Sequence, residues 1–297
     1  MSSRVAPGES LPAAAADSSA LKTLSSEQAL KVLSTRKKDL ERARRISTAN
    51  EMLYPMHVLP VKELLKMKRG DHLHHQALVA QGKVVKWRTG MGPVAFVSHQ
   101  WLGYEHADPE FEQLGCLQRV ADRIRTGDLK KIETNFLTQR SFKHDAEGEG
   151  AMAFEIGHDT LFHWVDKGFI WFDYFSVPQV NKTKEAGAHE DAHEDATPAY
   201  YNQDAQDLAS AVDSIPAYIE QSEFFFILCP PCFHKQSKKS TGQGKGAAIN
   251  DFVSWSRRGW CRAEAVCRLL ARRSGAVVRI DNSEAAPRLM PAYEAWM

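Results

Sequence analysis

Apolar residues along this chain fall into short unbroken runs, separated by longer stretches in which they recur every three or four positions. The runs are Val94-Ala-Phe-Val97, Gly168-Phe-Ile-Trp-Phe172, Glu223-Phe-Phe-Phe-Ile-Leu228 and Ala276-Val-Val-Arg-Ile280, and each reads as a strand covered on both faces. Between the first two, Leu114, Leu117, Val120 and Ile124 carry a helical period over residues 111–125, and Asp108-Pro109 supplies a start signal. Residues 204–221 repeat the pattern with Leu208, Ala211, Val212, Ile215 and Ile219, where Pro216 predicts a kink. In a further helix, Trp260, Ala263, Cys267 and Leu270 have the spacing of an inward stripe. Strand and helix alternate throughout, which predicts an α/β fold: an open, mostly parallel sheet with helices on both faces, flavodoxin-like in its winding.

The flanking segments follow other patterns. Residues 1–24 are rich in alanine, serine and proline with no period, and read as a disordered tail. Residues 25–91 are expected to form a helical amino-terminal extension. Ser25 and Gln28 have capping-box spacing ahead of a charged helix over 27–45, and Val58-Leu59-Pro60-Val61 reads as a turn into a short helix. The α/β domain is expected over 92–297, with insertions near 126–166, 181–203 and 231–250. There the acidic patch from Asp145 to Gly150, the repeat Ala188-His-Glu-Asp-Ala-His-Glu-Asp195 and a basic, glycine-rich loop interrupt the period.

Charge and composition exclude some partners. Lysine plus arginine number 38 against 37 aspartates and glutamates, so no global field points to nucleic acid or to an anionic membrane. No apolar run approaches the ~20 residues that span a bilayer, and the amino terminus lacks the apolar core of a secretory signal. Five cysteines (Cys116, Cys229, Cys232, Cys261 and Cys267) are an odd, sparse set, which fits reduced thiols in a cytoplasmic protein.

In open parallel sheets, ligands bind beyond the carboxyl ends of the strands. The residues expected there are Ser98, His99, Gln100 and Trp101 after the first strand, Asp173 and Tyr174 after the second, and Cys229 after the third. Glu264 lies about 40° around the helix from Trp260 at roughly 100° per residue, at the rim of the expected stripe. Its bland reading is an exposed pair with Arg268 in the favourable order. Asp173 has a bland reading as a loop brace, His99 as a structural histidine, and Trp101, Trp171 and Trp260 as core rings. His72, His74 and His75 do not share one helical face, so no metal site is expected. A redox or zinc reading of Cys229-Pro-Pro-Cys232 lacks a helix start and two further ligands.

The segment Arg258-Gly-Trp260-Cys261-Arg-Ala-Glu264 resembles the Trp-Cys-x-x-Glu segment that opens a late helix in Toll/interleukin-1 receptor (TIR) domains. The resemblance extends over roughly residues 92–282, through Ser98-His99-Gln100-Trp101, His106-Ala-Asp108-Pro109, Trp171-Phe-Asp173-Tyr174 and Pro178-Gln179. This combination resembles a TIR-like group of microbial eukaryotes. Trp171, Asp173, Gln179, Arg258, Trp260 and Glu264 are also similar to the pattern of heterokaryon-incompatibility domains. The resemblance implies hydrolysis of the nicotinamide–ribose bond of NAD in signalling or defence, with NAD as substrate, no separate cofactor, and Glu264 as the catalytic carboxylate. It also implies self-association through domain loops, although the loop after the second strand is far longer than in TIR domains. Beside Glu264, the candidate catalytic residues are Asp173 and His99, and the candidate ligand contacts are Ser98, Trp101, Tyr174 and Trp260. The alternative is a non-enzymatic assembly module of the same fold.

Overall fold

The computed structural model describes residues 52–71, 73–134, 155–180, 199–235, 249–273, 275–291 and 294–295. The chain runs through β1 (His57–Pro60), α1 (Val61–Leu64), α2 (His75–Ala80) and β2 (Val85–Lys86) to the first central strand, β3 (Val94–His99). Next come α3 (Glu112–Thr126), β4 (Lys131–Thr134), β5 (Glu155–Gly157) and α4 (His158–Lys167), then the second central strand, β6 (Phe169–Phe172). The third, β7 (Phe224–Leu228), follows α5 (Asp173–Ser176), α6 (Ala199–Asp213) and α7 (Ile215–Gln221). A two-stranded ribbon, β8 (Cys232–Phe233) with β9 (Ile249–Asn250), then leads through α8 (Phe252–Arg257) and α9 (Gly259–Leu270) to the fourth, β10 (Ala276–Ile280). The last strand, β11 (Arg288–Met290), returns beside it, antiparallel.

Nine strands make one mixed, mostly parallel sheet in the order β2-β1-β6-β3-β7-β10-β11-β4-β5. The central strands β6, β3, β7 and β10 are parallel, and in chain order they stand second, first, third and fourth. That is the flavodoxin-like winding, whose crevice opens where the order reverses, at the carboxyl ends of β3 and β7. Because side chains alternate along a strand, each strand feeds two cores. Ala95, Val97, Phe172 and Phe226 pack with Leu114, Leu117 and Trp164 on one face. On the other, Val94, Phe96, Trp171 and Phe225 pack with Ile215, Tyr218, Trp255 and Ala265.

Three boundaries differ from expectation. The sheet begins before residue 92: β1 pairs antiparallel with β6, Leu59 opposite Ile170, where a turn was expected from Val58, although the short helix expected after it is present as α1. Proline is tolerated because this pairing lies at the strand end. The segment 126–166, expected as an irregular insertion, contributes β4 and β5 to the sheet edge and most of α4. Over 204–221 the helix does not kink but divides at Ser214, with Pro216 in the first turn of α7, where its missing N–H costs nothing. Ser214 Oγ accepts the backbone N–H groups of Leu53 (2.8 Å) and Tyr54 (3.1 Å), tying the segment before β1 to this break. The expectations for residues 1–24, for the helix over 27–45 and for the repeat of 188–195 lie outside the described residues. Among the described residues, no helix is long and apolar enough to cross a membrane.

Candidate functional site

The carboxyl end of β3 carries two polar residues pointing to opposite faces of the sheet, Ser98 and His99, and each meets a carboxyl group. Ser98 Oγ donates to Glu264 Oε2 at 2.5 Å and accepts the indole N–H of Trp255 at 3.0 Å. This arrangement rotates α9 by one position from the expected stripe. The buried face of that helix is Cys261, Glu264, Ala265 and Arg268, while Trp260 is 52% exposed. Glu264 is therefore not at a half-wet rim but 6% exposed, and the expected pair with Arg268 does not form. Arg268 instead donates to the carbonyls of Ile219 and Ser222 (both 3.0 Å) and Arg273 (2.7 Å), satisfying carbonyls at the end of α7. Gly275 is required by this arrangement, since a Cβ there would stand 2.2 Å from Arg268 Nη2.

His99 bridges two elements. Its Nε2 faces Asp173 Oδ1 at 2.8 Å and its Nδ1 faces Gln113 Oε1 at 2.9 Å. The Gln113 amide is oriented by its own Nε2, which donates to the Gln100 carbonyl at 2.8 Å. Both ring nitrogens thus face acceptors, so the ring carries both protons and a positive charge. Phe172 stacks on it with ring centroids 3.9 Å apart, a favourable surface for a cation. The second oxygen of Asp173, Oδ2, accepts the indole N–H of Trp101 at 2.6 Å.

Burial pushes His99 towards neutrality, but the Asp173 carboxylate more than reverses this and the net shift is upward. Burial likewise works against ionised Asp173, yet the His99 charge and the hydrogen bonds from His99 and Trp101 bring it below the ordinary carboxylate range. Glu264 feels the His99 charge only weakly, without a hydrogen bond to it. Burial pushes it up to about 8, against the hydrogen bond from Ser98, and the Asp173 charge adds to the rise. The end of β3 thus separates an ionised carboxylate, Asp173, whose side chain is 23% exposed, from a neutral carboxylic acid, Glu264, buried against Ser98.

Of the candidate residues, Ser98, His99, Trp101, Asp173 and Glu264 come together here, and Tyr174 adjoins them with its ring edge-on to Trp101 at 5.6 Å. Trp260 does not join them, because the helix is rotated by one position from the expected stripe. Gln113 and Trp255 belong to the cluster and were not anticipated. The legible signal for Gln113 was a polar residue beside the apolar stripe of α3. Beyond Tyr174 lies a cavity of about 390 Å³, lined in part by Lys68, His74, His106, Phe111 and Lys235. Cys229 and Cys232 are buried, and desolvation raises both thiols, which disfavours a reactive thiolate at either. Among the described residues, no histidine, cysteine and carboxylate group is arranged to hold a metal ion.

Fold and site define an open-sheet α/β protein with two carboxyl groups, one ionised and one protonated, at the carboxyl edge of its sheet. No protein-family model, curated protein or solved structure matches this chain.

Proposed function

We propose that this protein is a TIR-like hydrolase that cleaves the nicotinamide–ribose bond of NAD, using the cluster at the end of β3. The observation that carries this reading is the pair of carboxyl groups held in different protonation states by adjacent residues of one strand end, Asp173 through His99 and Glu264 through Ser98, the pattern that separates roles in glycoside cleavage. The reaction places particular demands on such a site. As the C–N bond breaks, its electron pair passes to the pyridinium ring, nicotinamide leaves neutral, and positive charge spreads over the ribose. Asp173 offers a standing anion that solvent and ligand can reach. Glu264 is neutral at rest, but a cationic nicotinamide ring beside it favours loss of its proton, so the substrate itself generates the second anion facing the ribosyl cation. Water then takes the place of nicotinamide, its oxygen bonding the ribosyl carbon while its proton passes to the ionised Glu264, which returns to the neutral acid. The resemblance of the segment from Arg258 to Glu264 to the catalytic helix of NAD-cleaving TIR domains supports the same role for Glu264.

A second reading, a non-enzymatic TIR-like assembly module, is favoured by one observation: Glu264 is sealed behind Ser98, and the 390 Å³ cavity is lined without it. Nicotinamide release from NAD, measured at high protein concentration so that self-association is not limiting, separates the two. Release by the wild type that falls at least a hundredfold in a folded Glu264→Gln variant is the expected result. No release from fully assembled wild type would transfer the assignment to the assembly module, in which deletion of residues 25–46 abolishes association while Glu264→Ala does not.

A further inference from the structure

The cavity beyond Tyr174 is separate from the Ser98–Glu264 and His99–Asp173 pairs but shares a wall with them, because Tyr174 follows Asp173 and touches Trp101. Its lining mixes two lysines with two carboxylates, and the two signs are differently engaged. The carboxylates are already occupied by backbone: Asp108 accepts the N–H groups of Glu112 (2.8 Å) and Leu114 (2.7 Å), and Asp71 that of Lys68 (2.8 Å). Asp108 thereby satisfies two orphan N–H groups in the first turn of α3, which fixes the orientation of its carboxylate.

The cations are differently placed. Among the described residues the Lys68 ammonium has no ion-pair partner, and Lys235 reaches only Glu110 at the rim, at 3.2 Å. His106 Nδ1 accepts the Asp108 N–H at 3.0 Å, so its remaining proton sits on Nε2 as a donor. His106 also resists protonation, first because it is buried and then because His74 and Lys235 stand close by. Two ammonium groups and the His106 donor thus face the cavity, while the oxygens of Asp71 and Asp108 are turned to backbone N–H groups. Phe111 adds backbone strain. It has φ 59° and ψ 30°, the only positive φ of a non-glycine residue among those described, and strain of this kind is retained where a site requires it. At about 390 Å³ the space is in the range of small-molecule sites and far exceeds a phosphate group alone.

We propose that this cavity binds a nucleoside diphosphate group, with the phosphates on Lys68, Lys235, His74 and His106 and the nucleoside against Tyr174 and Phe111. Placing the ADP half of NAD here rests on the hydrolytic reading above; the anion site itself rests on the cavity alone.

The test is calorimetric titration of the full chain with ADP, with inorganic pyrophosphate and with adenosine, for the wild type and a Lys68→Ala/Lys235→Ala variant. Both lysines are exposed, so the variant is expected to melt as the wild type does. ADP should bind more tightly than either fragment, and the double substitution should weaken it by about tenfold or more, the loss expected for charge-assisted bonds to an anion. The proposal is overturned if ADP does not bind the wild type, if the lysine variant binds it equally well, or if pyrophosphate binds as tightly as ADP. Nicotinamide release on the same samples reports separately on hydrolysis. ADP binding without release supports this site while removing that reading.

Discussion

At the scale of single residues, the proton on Glu264 ties folding to pH. Its ordinary value is 4.5 and its folded value about 8, so between these limits the unfolded chain is ionised there and the folded chain is not. The folded state then binds more protons, and stability falls as pH rises, by up to roughly 1.4 kcal/mol for each pH unit. His99 is raised, so its contribution is full below 6.5 and is lost above its folded value. Asp173 is lowered, and its contribution is lost only as pH falls below 3.8. Glu264 is therefore the one of the three that titrates differently between folded and unfolded states from pH 4.5 to 6.5. Thermal melts from pH 5 to 8 should show the Glu264→Gln variant gaining on the wild type as pH rises; a constant difference would show that Glu264 is ionised in the folded protein. Nitrogen chemical shifts of the imidazole should report a doubly protonated His99 at pH 7, and in Asp173→Asn a neutral ring. A neutral ring in the wild type would contradict the two-acceptor geometry.

At the scale of elements, α9 shows how a polar group can occupy a buried stripe. Its inward face alternates Cys261, Glu264, Ala265 and Arg268, with the carboxyl group met by Ser98 and the guanidinium by carbonyl groups of the α7 end and the loop after α9. Apolar periodicity assigned the stripe to Trp260 and Leu270, both of which are exposed. Tryptophan is large enough to dominate any hydrophobic count, yet it lies on the solvent side because the polar residues found partners inside. Trp255, one helix earlier, is fully buried, stacks on Phe252 and bonds Ser98. Trp255→Ala should therefore cost about 3–5 kcal/mol in denaturant unfolding. Trp260→Ala should stay within roughly 0.5 kcal/mol. Equal losses would return α9 to the orientation its apolar spacing suggested.

At the scale of the molecule, the sheet is closed off by strands on both flanks of its parallel centre. β1 covers the free edge of β6, a strand buried on both faces, and β11 with β4 and β5 extends the opposite side. A chain shortened to begin at residue 92 loses β1 and exposes that apolar edge, a template for aggregation. It should lose cooperative unfolding and soluble yield, whereas one beginning at residue 48, the start of the compact unit, should melt with the full chain's midpoint. Cooperative melting of the shorter chain would show that β1 is dispensable.

The sequence by itself determined the four central strands, because a strand buried on both faces must be continuously apolar and little else in a chain of this composition is. It also determined that polar residues terminate those strands, and so which end of the sheet carries Ser98, His99 and Asp173. Helix rotation was not legible, since a buried Glu264 and Arg268 become tolerable only once Ser98 and the α7 carbonyls are brought beside them. Nor were β1, β4 and β5, which are too short to show a period and form only because an existing edge offers them hydrogen bonds. The charges of Glu264, His99 and Asp173 were decided by tertiary structure alone, because burial and the distance to a counter-charge set a proton's free energy, and neither is written in residue spacing.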